Sequence, residues 1–258
     1  MNTRAYVPAD TPWHLISLRP RGGHASLRHA AARVGAGLIA LSPWYLQAYD
    51  DPESRRQLTR ALAADRVVFT SPAAVNAAAR LAPLHARHSA GVLAVGEGTA
   101  RALRRHGVRE VLAPSRMDSE GLLALPALSS LQGLSAGLVT APGGRGLIAA
   151  QLQARGAELI RANVYERVAL PLPPARLRRL QALTSPSVLA VSSGEALLLV
   201  LPQLPADLRS RWQQQPVVTA GPRLAELAAA QGFTCVRAAA GPMPAQLAAA
   251  ARDLLRAR

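Results

Sequence analysis

Val67-Val-Phe-Thr-Ser-Pro-Ala-Ala-Val75 is the stretch whose reading decides the fold. An apolar, β-favouring run stops at Thr70-Ser71 and resumes behind Pro72 as an alanine-rich helical pattern. That is the signature of a strand delivering a hydroxyl-bearing loop to a helix N-terminus. Free N–H groups and the helix dipole suit such a loop to negative charge. The same grammar returns as Val188-Leu-Ala-Val-Ser-Ser-Gly-Glu-Ala-Leu197, so two copies of one device are expected.

Outward from these stretches, strands and helices alternate. Upstream, a strand at 13–18, a loop at 19–23, a helix at 25–34 closed by Gly35 and Gly37, and a strand at 38–41 form a β-loop-α-β unit. Residues 42–52 carry prolines near both ends and three aromatics between them, and read as an extended connector that marks a domain crossing. A helix from Glu53 leads into the strand 66–69 and the helix 72–81. Val92-Leu-Ala-Val-Gly-Glu-Gly-Thr99 then reads as a strand entering a glycine turn, with a helix to His106, a strand at 108–112 and a helix at 119–125 beyond it.

Leu138-Val-Thr-Ala-Pro-Gly-Gly-Arg-Gly146 opens another unit, with a helix through Arg155 and a strand at 158–164. A second connector, 165–174, holds prolines at 171, 173 and 174. Helices at 175–183, after Glu195, at 205–213 and at 244–256 alternate with strands at 188–191 and 234–237, and Val217-Val-Thr-Ala-Gly-Pro222 leads into a helix that stops at Gly232. Such alternation implies an α/β fold with parallel, doubly wound sheets of the Rossmann or flavodoxin-like kind. Laid on itself the sequence repeats at an offset of 121 to 125 residues, pairing Pro20 with Pro142, Gly35 with Gly156, Ser71 with Ser192 or Ser193, Gly96 with Gly221 and Gly107 with Gly232. Duplication of a small α/β domain is the simplest account, the other being that any two α/β stretches align through their glycines.

Composition narrows the chemistry. All 30 basic residues, against 15 acidic ones, are arginine, and the absence of lysine excludes a P-loop lysine, a Schiff-base lysine and a lysine general base. Arginine favours bidentate capture of carboxylate or phosphate, although a GC-rich genome also writes arginine for lysine. The arginines are dispersed, 16 in residues 1–129 and 14 beyond, and no aromatic interleaves with a basic cluster, which argues against nucleic acid as a partner. Cys235 is alone, so neither an intramolecular disulfide nor a thiolate zinc cluster is open to it. No apolar run approaches a transmembrane span and no leader is legible, so a soluble cytoplasmic protein, not associated with a membrane, is expected.

In open parallel sheets ligands sit outside the carboxyl ends of the strands. The loops there carry Arg19, Thr70 and Ser71, Gly96 and Thr99, Arg145, Ser192 and Ser193, and Gly221 with Arg223. Six such loops on two domains could grip a large polyanion across a cleft. Each is equally an ordinary helix cap, and Ser192 with Glu195 has capping-box spacing. Gly96-Glu-Gly-Thr-Ala-Arg101 lacks the third glycine of the dinucleotide fingerprint, Gly143-Gly-Arg-Gly146 has the wrong spacing, and His85 with His88 reads as solvated rather than metallated. Tyr165, on the second connector, is either a hydroxyl donor projecting into a cleft or a strand aromatic packed beside the hinge.

Val68-Phe-Thr-Ser-Pro-Ala-Ala-Val75, Ala94-Val-Gly-Glu-Gly-Thr-Ala100, Ala141-Pro-Gly-Gly-Arg-Gly146, Val164-Tyr-Glu-Arg167 and Gly221-Pro with Gln231-Gly232, in that order, resemble the uroporphyrinogen-III synthase family. The likeness runs from about Leu15 to Leu255. It implies two α/β domains joined by two connector strands, with the first domain discontinuous: 1–43 with 170–258, then 53–160, and connectors at 44–52 and 161–169. The repeat alone would cut the chain near residue 130.

The resemblance further implies cyclisation of hydroxymethylbilane to uroporphyrinogen III, with loss of water, inversion of ring D and no cofactor. It implies a monomer that receives its polycarboxylate substrate from a bilane-forming enzyme. By the same resemblance Tyr165 is a proton donor to the leaving hydroxyl, and Ser71, Thr99, Ser192 and Ser193 are cleft-facing hydroxyls. Arg223 and Leu224 stand where many relatives have threonines, so an arginine–carboxylate contact replaces hydroxyl contacts there. A non-catalytic two-domain binder of an anionic metabolite is the alternative from another class.

Overall fold

The computed structural model describes residues 12–84, 91–143 and 146–257. In chain order these form β1 (Trp13–Ser17), α1 (Ala25–Ala32), β2 (Ala36–Ala40), β3 (Trp44–Ala48), α2 (Pro52–Leu62), β4 (Arg66–Phe69) and α3 (Pro72–Leu81). Then come β5 (Gly91–Ala94), α4 (Glu97–Arg105), α5 (Ser119–Leu123), β6 (Ser135–Thr140), α6 (Leu147–Ala154), β7 (Glu158–Asn163) and β8 (Tyr165–Ala169). The chain finishes with α7 (Pro174–Gln181), β9 (Ser187–Val191), α8 (Gly194–Val200), α9 (Ala206–Gln213), β10 (Pro216–Thr219), α10 (Pro222–Ala230), β11 (Cys235–Ala238) and α11 (Pro244–Arg256).

The chain divides into two compact units, one holding the described residues up to Tyr45 and from Ala169 onward, the other Leu46–Val168. The first contains a five-stranded sheet in the order β11-β10-β9-β1-β2, parallel throughout. The second contains a four-stranded parallel sheet, β5-β4-β6-β7. β3 and β8 pair with each other as a two-stranded sheet where the chain passes from one unit to the other.

The central strands of both parallel sheets are buried on both faces, as parallel strands require. In the second unit Val67 and Phe69 of β4 point into one apolar cluster with Leu58, Val75, Ala78 and Leu103, while Val68 points into another with Leu122, Leu128 and Leu152. Successive residues of β4 thus serve opposite layers: α2, α3 and α4 on one face, α5 and α6 on the other. The first unit repeats the plan. Ile16 and Leu189 meet α8, α9 and α10 residues such as Leu197, Trp212 and Ala228, and Leu15 and Val188 meet Leu27 of α1 and Leu247 of α11.

Element starts follow the repeat read from the sequence. β1 begins at Trp13 and β6 at Ser135, 122 residues on; β4 begins at Arg66 and β9 at Ser187, 121 on; α5 begins at Ser119 and α11 at Pro244, 125 on. In this register β2-β1-β9-β10 corresponds strand for strand to β7-β6-β4-β5. The strand expected at 108–112 contracts to a single parallel bridge, Leu93 to Leu112, at the sheet edge where the other unit places β11. Leu112 is 48% exposed, so little apolar burial rewards lengthening that edge.

One glycine sets the closeness of the layers in the second unit. A Cβ added to Gly137 in β6 would lie 2.0 Å from the Ala61 carbonyl oxygen of α2, so helix and strand meet backbone to backbone there. Gly137→Ala is expected to cost about 3 kcal/mol, as overpacking of a rigid core does. Gly98→Ala, whose nearest neighbour lies at 3.7 Å, is expected to be neutral or stabilising by up to about 1 kcal/mol. Urea unfolding of both variants checks the contrast.

Candidate functional site

In a doubly wound sheet the crevice forms where neighbouring strands send their chains to opposite faces. In the second unit that point lies between β4 and β6, because α3 covers one face and α6 the other. A cavity of about 190 Å³ opens there, lined among others by Thr70, Ser71, Thr140, Ala141, Arg161 and Tyr165. Every one of these residues stands at or just beyond a strand's carboxyl end or on the strands that follow.

Ser71 is fixed by the sequence around it. It is the N-cap of α3, its Oγ accepting from Ala74 N–H at 3.0 Å, and Pro72 at the first helical position enforces the turn. The same Oγ lies 3.2 Å from the Tyr165 hydroxyl, a pair 94 residues apart in sequence. Tyr165 is 4% exposed and its ring belongs to the apolar cluster beneath, so the side chain is packed as a strand aromatic and also presents its hydroxyl at the cavity. Thr70 Oγ1 donates to Thr140 Oγ1 at 2.9 Å, joining the ends of β4 and β6. Gly146, with φ of 67°, leads into α6, whose first turn carries no acidic residue. Arg145, named from the sequence, lies outside the described residues, as do His85 and His88.

Gly96 is buried, and a Cβ there would crowd Met117 Cβ at 3.0 Å. Thr99 is 2% exposed and sits in the first turn of α4, so it belongs to the interior of this turn rather than to an open surface.

In the first unit the equivalent point lies between β1 and β9. Ser193, not Ser192, is the N-cap of α8, accepting from Ala196 N–H at 3.3 Å, which corrects the capping box expected at Ser192 and Glu195. Ser193 is thereby the structural equivalent of Ser71, and the neighbouring Ser192 is exposed. Gly221 begins α10, held by Thr219 Oγ1 donating to its carbonyl at 3.0 Å, and Arg223 stands exposed in the first turn of that helix.

Arg19 follows β1. Its Nε is buried without a hydrogen-bond partner among the described residues, its Nη1 reaches Ser26 Oγ at 3.5 Å, and burial holds the guanidinium below its ordinary value. Beside it is a group that sequence reasoning missed. His24 is 8% exposed and bridges two hydroxyls, Ser17 Oγ at 2.9 Å from Nδ1 and Ser42 Oγ at 2.8 Å from Nε2. One ring nitrogen of the neutral imidazole donates and the other accepts, so the two serines play opposite roles. Burial first, then the positive charges of Arg19, Arg28 and Arg176, lower its pKa to about 4. Nothing in the spacing of Ser17, His24 and Ser42 signals this cluster, which the ends of β1 and β2 assemble. Arg161 and Arg167 were missed likewise, although both line the cavity in the second unit.

Among the described residues no group of three or more His, Cys, Asp or Glu side chains is placed to hold a metal ion, and no helix is long and apolar enough to cross a membrane.

Fold and loops define a doubly wound α/β protein of two units, each offering hydroxyls, helix N-termini and arginine at its switch point, the equipment of an anionic small-molecule site. The chain belongs to the uroporphyrinogen-III synthase family: the family model described as uroporphyrinogen-III synthase HemD matches residues 27–249. Uroporphyrinogen-III synthases of Escherichia coli K12 and Salmonella typhimurium LT2 are each 32% identical to it over 148 residues. That match covers 57% of this chain and spans 60% of the length of each relative. Among solved structures, a mutant uroporphyrinogen III synthase of the extremely thermophilic bacterium Thermus thermophilus superposes with a TM-score of 0.64 at 19% identity, covering 95% of this chain and 99% of that one. The uroporphyrinogen-III synthetase of Helicobacter pylori 26695 gives 0.59 at 18%, covering 92% and 97%. At these identities the likeness concerns the fold.

His24 carries a pH signature. Its unfolded value is near 6.5 and its folded value about 4, so between those values the unfolded chain binds a proton that the folded chain refuses. Stability therefore falls as pH drops from 6.5 toward 4, by at most about 1.4 kcal/mol per pH unit for this one proton. Above 6.5 the term is absent. Urea midpoints measured from pH 7 to 5 should fall less steeply in His24→Asn than in the parent chain.

Proposed function

We propose that this chain cyclises hydroxymethylbilane to uroporphyrinogen III, losing water and inverting ring D, in tetrapyrrole biosynthesis. The family match over residues 27–249 supports the reaction. The observation that carries its chemistry is the Tyr165 hydroxyl, 3.2 Å from Ser71 Oγ beside the cavity.

In this reading Tyr165 O–H gives its proton to the departing hydroxyl of the bilane, which leaves as water. Ser71 Oγ–H then donates to the phenolate oxygen, while the serine's lone pair keeps the Ala74 N–H bond that fixes it. The azafulvene left behind is attacked by the substituted carbon of ring D. The spiro intermediate reopens and recloses with ring D inverted, and the proton released as the last pyrrole regains aromaticity restores Tyr165.

Unaided closure gives the other isomer, so the larger share of the work is holding one conformation of a flexible chain. That work falls to groups that bind the substrate's carboxylates: Thr70, Ser71, Gly96, Thr99 and Arg145 in the second unit, and Arg19, Ser192, Ser193, Gly221 and Arg223 in the first. Thr99, being buried, acts through its backbone and its packing. The proposed setting is the cytoplasm, with a monomer taking its polycarboxylate from a bilane-forming enzyme.

Freshly generated hydroxymethylbilane with isomer-resolved product analysis tests the reaction. Type III product above the uncatalysed background is expected. Type I product at the uncatalysed rate, with the bilane bound but not turned over, would instead make the chain a non-catalytic binding protein. Tyr165→Phe is expected to lower kcat about 100-fold, the scale of general-acid catalysis. It should shift the urea midpoint by no more than loss of one hydrogen bond, about 1 kcal/mol. Unchanged turnover would remove the proton-donor role.

A further inference from the structure

Arg161 stands on β7 at the edge of the cavity in the second unit. Its Nε donates to Asn163 Oδ1 and its Nη2 donates to the Ala141 carbonyl, both at 3.0 Å. Asn163 lies two residues along the same strand and so on the same face as Arg161, and Ala141 follows the end of β6 and itself lines the cavity. These two bonds occupy one side of a planar group that has five N–H donors. They fix the plane of the guanidinium and leave its Nη1–Nη2 end, the edge that takes a carboxylate through two parallel bonds. Among the described residues no carboxylate pairs with it, although Arg55, Arg56, Arg104 and Arg116 all have acidic partners.

The charge is thus oriented in advance, with no acidic partner among the described residues. A long surface arginine whose role was solubility would gain nothing from two anchors that restrict its rotamers. A guanidinium anchored in the lining of a cavity presents a binding edge whose ordering cost is met before the ligand arrives.

The cavity's size indicates what part of the ligand meets it. About 190 Å³ is below the roughly 300–1,000 Å³ of pockets that enclose a drug-sized molecule. That is the scale of one substituted pyrrole ring rather than of four.

We infer that Arg161 is a specificity-determining residue that takes a side-chain carboxylate of the one pyrrole ring entering this cavity, and that Asn163 is its positioning residue. The inference rests on the reaction proposed above. A ring lacking an acidic arm at that place leaves the guanidinium unpaired, so the pair selects among rings by their side chains, whereas the hydroxyls of Ser71 and Tyr165 act on the bond being broken.

The test is steady-state kinetics on hydroxymethylbilane across a salt series. Arg161→Gln is expected to raise KM roughly tenfold, the value of one charge-assisted bond, to leave kcat within about twofold, and to flatten the dependence of KM on ionic strength. Arg161→Lys should recover part of the loss, since it keeps the charge and loses the fork. Asn163→Asp sets a carboxylate against Nε and neutralises the guanidinium in place, and is expected to reproduce the KM rise with Arg161 intact. That second variant decides the matter should Arg161→Gln fold poorly. KM and its salt dependence unchanged in both variants would overturn the inference, as would a loss confined to kcat. If the parent chain forms no type III product, the reaction itself fails, a result distinct from either.

Discussion

The arrangement depends on the exit of helices to opposite faces from two neighbouring parallel strands. A parallel connection must cross over its sheet, and the hand of that crossover is nearly invariant. With α3 on one face after β4 and α6 on the other after β6, the two loops diverge and the ends of the strands stay uncovered. The hydroxyls of Thr70, Ser71 and Thr140 are therefore brought together by topology, and local sequence only has to supply the right side chains at the strand ends. The first unit meets the same constraint between β1 and β9, where it places Arg19 and Ser193.

Arginine serves two masters in a chain without lysine. Arg155 Nη1 donates to the carbonyls of Leu123 and Leu128 at 2.6 and 2.7 Å, closing the end of α5, while Arg66 reaches Ala127 O and Arg55 reaches Leu81 O at the end of α3. Arg211 satisfies the carbonyls of Leu180 and Gln181 at the end of α7. Carbonyls at helix ends have no intrahelical donor, and a cation there also suits the dipole. The 30 arginines thus overstate the guanidinium donors available to a ligand, because several of them are committed to the scaffold. His24, kept neutral beside Arg19, lets buried hydroxyls be joined without adding a further charge.

The sequence exposed most of the scaffold and only part of the site. β4 and α3 are legible to the residue because Thr70-Ser71-Pro72 is punctuation with a local cause: a cap, a fixed φ and a change of period. The stretch 108–112 has strand composition, but an edge lengthens only where a neighbour and a buried face reward it. Choosing Ser193 over Ser192 as the cap depends on where β9 ends, a one-residue matter decided by its ladder with β1 and β10. Tyr165 was legible as a residue of interest, but its bond to Ser71 joins side chains 94 residues apart that tertiary packing brings together, and the anchoring of Arg161 comes from the meeting of β6 and β7. Contacts of that range leave no periodic trace.

The correspondence between β2-β1-β9-β10 and β7-β6-β4-β5 reaches beyond a resemblance of two folds. The first repeat supplies β1 and β2 to one unit and β4 and β5 to the other; the second supplies β6 and β7, then β9 and β10. Neither half of the sequence contains a whole sheet. Each unit is an exchange of halves, the arrangement that two copies of a chain of half this length would make by swapping segments at β3 and β8. During synthesis the strands β1 and β2 therefore wait through the whole of the other unit for β9, the central strand that pairs with β1, and the sheet begun first is completed last.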